Sequence, residues 1–388
     1  MGLDECSHPT KTRYLCTHPS KQFTGQKLRS TSRHNLLQSV PAISIGCQTD
    51  RDEIFNFVAD ADEKNAEAFV NMPGVGFHPI QLDTLVIDTV LDFELHSKIS
   101  NEAFVLFRGR NQEFGSRHRD GLLSHGIHTL YVSQEDQSQY GRYIEQNIGR
   151  LAADPSVSPL KRAELLYSVS KGVLLDAFDN PRSTDLVKRV DKVMPHMVDV
   201  VLQGKEALAS MISIMSYDYY TFTHSINVST FTVALANEAG VSNRQELYEL
   251  ATGALLHDIG KSEIPKDILN KSGPLTSEEM NVMKTHVIRG EKLLLLKDGM
   301  TASRMIPVSL HHEKLSGRGY PRALKAEQIH LHGRITGICD CFDAMTTHRP
   351  YAQGMNAFQA VQLMKGKLQD DFDQKLVSAF IVLLGNAR

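Results

Sequence analysis

Residues 244–261, RQELYELATGALLHDIGK, decide how this chain folds. Leu247, Leu250, Ala251 and Ala254 recur at helical steps, so a helix from Arg244 to His257 has one apolar face. Continuing the same step places Asp258 on that core-facing stripe. Buried charge is expensive without a partner or a metal. Lys261 follows three residues later on the same face. It suits contact with a phosphate or a metal-held hydroxide, or a plain charge at the negative end of the helix dipole.

Further histidines repeat this arrangement downstream. Thr276-Ser277-Glu278-Glu279 forms a capping box after Pro274, and the helix it opens carries His286 on a stripe with Met283 and Gly290. The next helix is expected to bury Met305 and Val308, which brings His311 and His312 to the following turn. Asp340 lies between Ile338 and Phe342 in a helical stretch from Ile335 to Met345, and His224 lies upstream. All of these positions read as helix. Taken singly, a histidine on an apolar face is usually a satisfied core residue. Together, His224, His257, His286, His311 and His312 recur beside Asp258 and Asp340. Imidazole and carboxylate form the ligand set of a borderline transition metal. Seven such groups exceed the needs of one tetrahedral ion, so at least two metals and phosphoryl chemistry are expected.

The chain has 388 residues, which implies two domains and a tail. Residues 1–50 are rich in Ser, Thr, Lys and Arg and read as a disordered tail. Cys6, His8, Cys16 and His18 match no usual zinc spacing and read as chance clustering. A short helix fits Arg51 to Val70. Residues 51–151 read as a small α+β module. Val90, Asp92 and Glu94 alternate with Leu91, Phe93 and Leu95 as one half-buried strand, and Phe104–Phe107 and Thr129–Val132 are further strands. A helix near His118–Ser124 ends at Gly126. Linker helices follow over 152–203, the first striped by Leu165, Val169, Val173 and Leu174 and broken at Asn180-Pro181. The second is striped by Leu186, Val187, Val190 and Val193 and is expected to kink at Pro195. A helical domain occupies 204–388, so the fold class is mainly α.

The net charge of −3 argues against a nucleic-acid polymer as partner. No apolar run is long enough to span a bilayer, and no signal peptide is visible. Five scattered cysteines fit free thiols in a reducing compartment, so the expected setting is cytoplasmic.

His257-Asp258-Ile259-Gly260-Lys261 resembles the signature of HD-superfamily metal phosphohydrolases. His311-His312-Glu313 followed by Gly317-Arg318-Gly319-Tyr320-Pro321 resembles the hallmark of the HD-GYP branch. Ile338 to Thr346 and Arg349-Pro350-Tyr351 resemble its downstream motif, and Phe372-Asp373 through Leu384-Gly385 its C-terminal helix. The match runs from about Tyr217 to the end. The resemblance implies an all-helical domain that hydrolyses cyclic di-GMP to pGpG, then GMP. It assigns His224, His257, Asp258, His286, His311, His312 and Asp340 as metal ligands, with Asp258 bridging. It places Lys261 by the catalytic water and phosphate, Gly319, Tyr320 and Pro321 at the nucleotide pocket or a docking partner, and Arg349 on a substrate phosphate. Asp343 is expected at the substrate or behind a ligand, with Thr223 and Asn227 as other candidates for the latter place. The ions expected are two of iron or manganese, and the donor types also admit zinc or nickel. Such a pair bridges a hydroxide and neutralises charge on the attacked phosphate.

Three positions depart from the family pattern. Tyr220 replaces a glutamate that supplies a third metal in some members, so two metals are expected. Ser316 replaces the aspartate that usually precedes Gly-x-Gly-Tyr-Pro, and Ala352 replaces a basic residue. These departures keep two alternatives open: a catalytically weak cyclic di-GMP sensor or interaction protein, and an HD phosphohydrolase acting on another nucleotide. Docking of a diguanylate cyclase or other signalling partner through the Gly-Tyr-Pro loop, and a homodimer, are compatible with either.

Overall fold

The computed structural model describes residues 76–99, 104–154, 157–215, 221–347 and 354–386. The Cys6–His18 tract, the helix expected between Arg51 and Val70, Tyr220, Arg349 and Ala352 lie outside them. The described residues belong to one compact unit.

The N-terminal part is a small α+β module. Strands β1 (Phe77–Gln81), β2 (Thr89–Leu91), β3 (Leu95–Lys98), β4 (Phe104–Arg108), β5 (Gln112–Phe114) and β6 (Thr129–Ser133) form two antiparallel sheets, ordered β1-β6-β3-β4 and β2-β5. The alternation over Val90–Leu95 correctly marked its inward side, since Leu91, Phe93 and Leu95 are wholly buried. Its reading as one strand is corrected, because the chain leaves β2 and enters β3 in a different sheet. Buried Asp136 stabilises the crossing by accepting from the Glu94 amide at 3.1 Å and pairing with Arg110 at 2.5 Å. Helix α1 (Ser116–Ser124) ends before Gly126, whose φ of +68° favours glycine.

Helices α2 (Gln137–Ala153), α3 (Pro159–Asp179), α4 (Leu186–Leu202) and α5 (Lys205–Ile214) lead out of the module. The Ser158 hydroxyl caps α3, and the helix stops before Asn180-Pro181, where the residue preceding proline disfavours helix. Leu165, Val169, Val173 and Leu174 on α3 are buried, as are Leu186, Val187, Val190 and Val193 on α4. The α4 helix continues through Pro195.

The remaining described elements are helical: α6 (Thr221–Glu238), α7 (Arg244–Leu256), a 3-10 turn (Ile259–Glu263), α8 (Lys266–Leu269), α9 (Ser277–Lys284), α10 (His286–Leu294), α11 (Ala302–Leu310), a second 3-10 turn (Ala326–Gln328), α12 (Leu331–Thr346), α13 (Ala357–Lys365) and α14 (Gln374–Asn386). The capping box at Thr276 opens α9 as expected, with Glu279 accepting from the Thr276 amide at 2.7 Å. The single helix expected to carry Met283, His286 and Gly290 divides at Thr285, so His286 begins α10. On α11, Arg304 is buried and Met305 only partly so, a departure from the apolar stripe. The α6 helix packs against α7, α12 and α14, and α7 against α11. No described helix is long and apolar enough to cross a membrane.

Burial in the module pushes the His96 imidazole down from 6.5 to about 4. The unfolded chain therefore binds this proton first. The neutral side chain favours the fold above pH 6.5, and that stability is lost as pH falls toward 4. Replacing His96 by Leu is expected to flatten the acid limb of urea unfolding measured in EDTA. An unaltered slope between pH 6.5 and 4 would contradict this burial.

Candidate metal centre

The ends of α7 and α11, the start of α10, and the interiors of α6 and α12 converge. His257 is the C-cap of α7, and Asp258 opens the 3-10 turn. His311 caps α11 and His312 follows it. Thus His257, Asp258, His311 and His312 lie at helix ends, in line with a helix ending at His257 and with His311 and His312 at the turn that follows the next one. His224 and Asp340 project from α6 and α12. Gly260 explains the close approach of the 3-10 turn to α10. A Cβ there would lie 1.9 Å from the His286 carbonyl oxygen and 2.4 Å from the Gly290 nitrogen.

The seven groups form two clusters. Asp258, His286, His311 and His312 have donor atoms mutually within 4.8 Å, and so do His224, His257 and Asp340. Asp258 lies between them, with Oδ1 3.3 Å from His286 Nε2, and Oδ2 3.4 Å from His257 Nε2 and 3.7 Å from His224 Nε2. His312 Nδ1 is 3.5 Å from Asp340 Oδ2.

Backbone carbonyls determine which imidazole nitrogen faces inward. His257 Nδ1 donates to the Ala254 carbonyl at 2.7 Å, His286 Nδ1 to Met283 at 2.8 Å, and His311 Nδ1 to Pro307 at 2.8 Å. A carbonyl only accepts, so each Nδ1 carries the proton and each neutral Nε2 presents a lone pair. His286 Nε2 and His311 Nε2 then face one another at 3.3 Å. His224 lies between two carboxylates, with Nδ1 2.7 Å from Asp343 Oδ2 and Nε2 3.1 Å from Asp340 Oδ1. His257 Nε2 and Asp258 Oδ1 are buried and make no hydrogen bond.

Charge balance gives the same picture. Burial is the largest influence on His311, His312 and His286 and lowers all three, His312 to about 3, so they are neutral at ordinary pH. Burial raises Asp258, but the adjoining Lys261 ammonium outweighs it, and the carboxyl is held well below its usual range. Asp340 is likewise raised by burial and lowered further by His224 and His312. Lone pairs and carboxylates enclosed this closely suit divalent cations.

Lys261 Nζ donates to Asp258 Oδ2 at 2.5 Å. Tyr320 stacks on His312 with ring centres 4.5 Å apart, and its amide donates to the His312 carbonyl at 3.2 Å. Gly319 permits this approach, because a Cβ there would lie 2.4 Å from the Lys314 nitrogen. The peptide between Tyr320 and Pro321 is cis. Glu313, whose part was not evident from sequence, accepts from the Arg322 and Leu324 amides at 2.7 and 2.9 Å. Ser316 donates to Asp371 at 2.6 Å, and Arg318 pairs with the same carboxylate at 3.0 Å.

Asp343 is not placed as a substrate contact. It is buried, and its oxygens take His224 Nδ1 and, at 2.9 Å, Asn227 Nδ2. It lies behind a candidate ligand, the other place foreseen for it. Thr223 is also buried. A cavity of about 700 Å³ is lined by Asp343 and Asn227 together with Phe231, Phe342, Met355 and Val361, and by no Lys, Arg or His among the described residues.

Loss of a carboxylate behind a metal-ligating histidine typically costs 10- to 100-fold in metal affinity. Asp343→Ala is therefore expected to weaken Mn²⁺ binding by about that factor in a competitive-chelator titration. Wild-type affinity would deny Asp343 this part.

Residues 206–376 match the HD domain family. Over 229 residues the chain is 33% identical to the cyclic di-GMP phosphodiesterase PA4108 of Pseudomonas aeruginosa, covering 58% of this chain and 55% of that protein. Over 212 residues it is 32% identical to 3'3'-cGAMP-specific phosphodiesterase 3 of Vibrio cholerae, covering 52% of this chain and 45% of that one. The chain thus spans about half the length of these curated relatives. Among solved structures, Bd1817, a HDG"Y"P protein from Bdellovibrio bacteriovorus, superposes with a TM-score of 0.57 at 20% identity. The alignment covers 80% of this chain and all of that one, a likeness of fold.

Proposed function

We propose that this chain, whose residues 206–376 match the HD domain family, is a member of the HD-GYP branch and a metal-dependent phosphodiesterase that hydrolyses cyclic di-GMP to pGpG, then GMP. The observation that carries the reading is the 3.3 Å approach of two inward imidazole lone pairs, His286 Nε2 and His311 Nε2, beside the Asp258 carboxylate. The two donor clusters support two ions of iron or manganese, with His224, His257, His286, His311, His312 and Asp340 as ligands and Asp258 shared between them. When bound, such a pair acidifies water and offsets negative charge on the attacked phosphate.

The chain's own residues position the reactants. Carbonyl-anchored imidazoles hold their Nε2 atoms inward, so little side-chain freedom is lost when ligands bind. Lys261 lies at the same centre, where its ammonium can move from Asp258 to a phosphate oxygen. Tyr320, half-buried and stacked on His312, bounds the pocket beside Gly319 and Pro321. Arg349, outside the described residues, completes the proposed phosphate contacts. The limits proposed are 51–151 for the accessory module, 152–203 for the linker helices and 204–388 for the catalytic domain. A bacterial second messenger as substrate implies a cytoplasmic setting, and the Gly-Tyr-Pro loop is the surface proposed for a signalling partner such as a diguanylate cyclase.

The likeness to a 3'3'-cGAMP-specific relative favours a second reading, in which the mixed cyclic dinucleotide is preferred. Anaerobically purified, metal-counted protein should be given equal cyclic di-GMP and 3'3'-cGAMP and its products separated by chromatography. Release of pGpG or GMP from cyclic di-GMP, with about two metals per chain, is the expected result. Preferential loss of 3'3'-cGAMP would select the second reading. Binding without turnover in both iron- and manganese-loaded samples would reduce the chain to a sensor.

Asp258→Ala is expected to lose most bound metal and all hydrolysis, and full metal content would refute its shared position. Arg349→Ala is expected to keep its metal and weaken nucleotide binding by roughly 1.5–3 kcal/mol, as for a charge-assisted hydrogen bond. Unchanged binding would remove Arg349 from the pocket.

A further inference from the structure

Outside the metal centre, the least expected side chain is Arg304, a buried guanidinium on a helix whose sequence calls for apolar packing. Its Nη1 donates to Asp191 Oδ1 at 2.9 Å and to the Gly299 carbonyl at 2.7 Å. The guanidinium also lies over the Tyr248 ring, 4.8 Å from its centre. The Tyr248 hydroxyl donates to the same oxygen, Asp191 Oδ1. Asp191 of α4 thus receives donors from both α7 and α11. Tyr248 lies about two and a half turns before His257, and Arg304 about two turns before His311.

The two helices already touch through their backbones, since a Cβ on Gly253 would lie 2.2 Å from the Arg304 carbonyl oxygen. That contact sets their separation but does not prevent sliding along it. A single carboxylate oxygen holding a side chain from each helix does prevent it. Two residues earlier on α4, Arg189 forms a bidentate pair with buried Glu145 of α2, Nη2 to Oε2 at 2.9 Å and Nε to Oε1 at 3.1 Å, and meets Asp176 of α3 at 2.8 Å. One helix therefore carries both the junction to the N-terminal module and the junction to the metal-bearing helices.

We infer that Asp191 is a positioning residue for the metal centre. By holding Tyr248 and Arg304 it sets how α7 lies along α11, and hence the placement of His257-Asp258 relative to His311-His312. The Arg189–Glu145 pair on the same helix carries displacement of the module into that placement. The inference rests on the proposed ligand set, but it concerns binding and regulation, not the identity of the substrate.

The test is Mn²⁺ titration followed by electron paramagnetic resonance of the free ion, under conditions where circular dichroism shows each full-length variant folded. Asp191→Ala is expected to lower Mn²⁺ affinity about tenfold, the lower end of the range for groups that hold metal ligands. Asp191→Glu, which restores an acceptor, should recover most of that loss. If Asp191→Ala does not fold, Asp191→Asn serves in its place, with a smaller loss in the same direction. Glu145→Ala, which leaves Asp191 intact, is expected to lower affinity about threefold through the module junction. Wild-type affinity in a folded Asp191→Ala or Asp191→Asn protein would overturn the inference while leaving the metal reading intact. Unchanged affinity in Glu145→Ala would overturn the coupling to the module. Failure of the wild-type protein to bind Mn²⁺ would overturn the metal reading and this inference with it.

Discussion

Buried lone pairs directed at one another repel unless positive charge lies between them, and this constraint shapes the centre of the molecule. Each of His257, His286 and His311 commits its Nδ1 proton to a carbonyl of its own helix or the turn before it. That choice costs little locally, because a carbonyl oxygen can accept two donors, as Pro307 does from the amide and the ring of His311. Its consequence is that the Nε2 atoms converge as acceptors around two carboxylates. Lys261 offsets part of the negative charge, and divalent ions would offset the rest.

The rest of the fold supplies the rigidity this arrangement needs. Gly260 brings the 3-10 turn against α10, Asp343 and Asn227 fix the His224 ring, and Glu313 fastens the loop that presses Tyr320 on His312. Ser316 and Arg318 both turn to Asp371, so a carboxylate still serves this loop although it comes from the segment before α14. Position 316 thus departs from the family pattern while the chemistry around it remains anionic.

Much of this was legible in the sequence. The apolar stripe of α7 placed Asp258 against the core, and an isolated acid there demands a counter-charge whatever the family. The other members of the two clusters were legible as a set, because histidines recur beside acids near apolar helical stripes. Less legible was anything determined by contacts distant in sequence. Alternation over Val90–Leu95 gave the buried face but not the change of sheet, which depends on Asp136 some forty residues later. Helical periodicity ran through Thr285, although the chain ends one helix there and starts another. Arg304 falls in an apolar pattern, and only the approach of Asp191 and Tyr248 explains a charge at that place. Asp343 was foreseen both beside the substrate and behind a ligand, and its two hydrogen bonds put it behind His224.

The most direct test of the central claim is anomalous X-ray scattering from crystals of the manganese-loaded protein. The account predicts two metal peaks sharing Asp258, one against His286, His311 and His312 and the other against His224, His257 and Asp340. A single peak, or peaks away from these side chains, would contradict it.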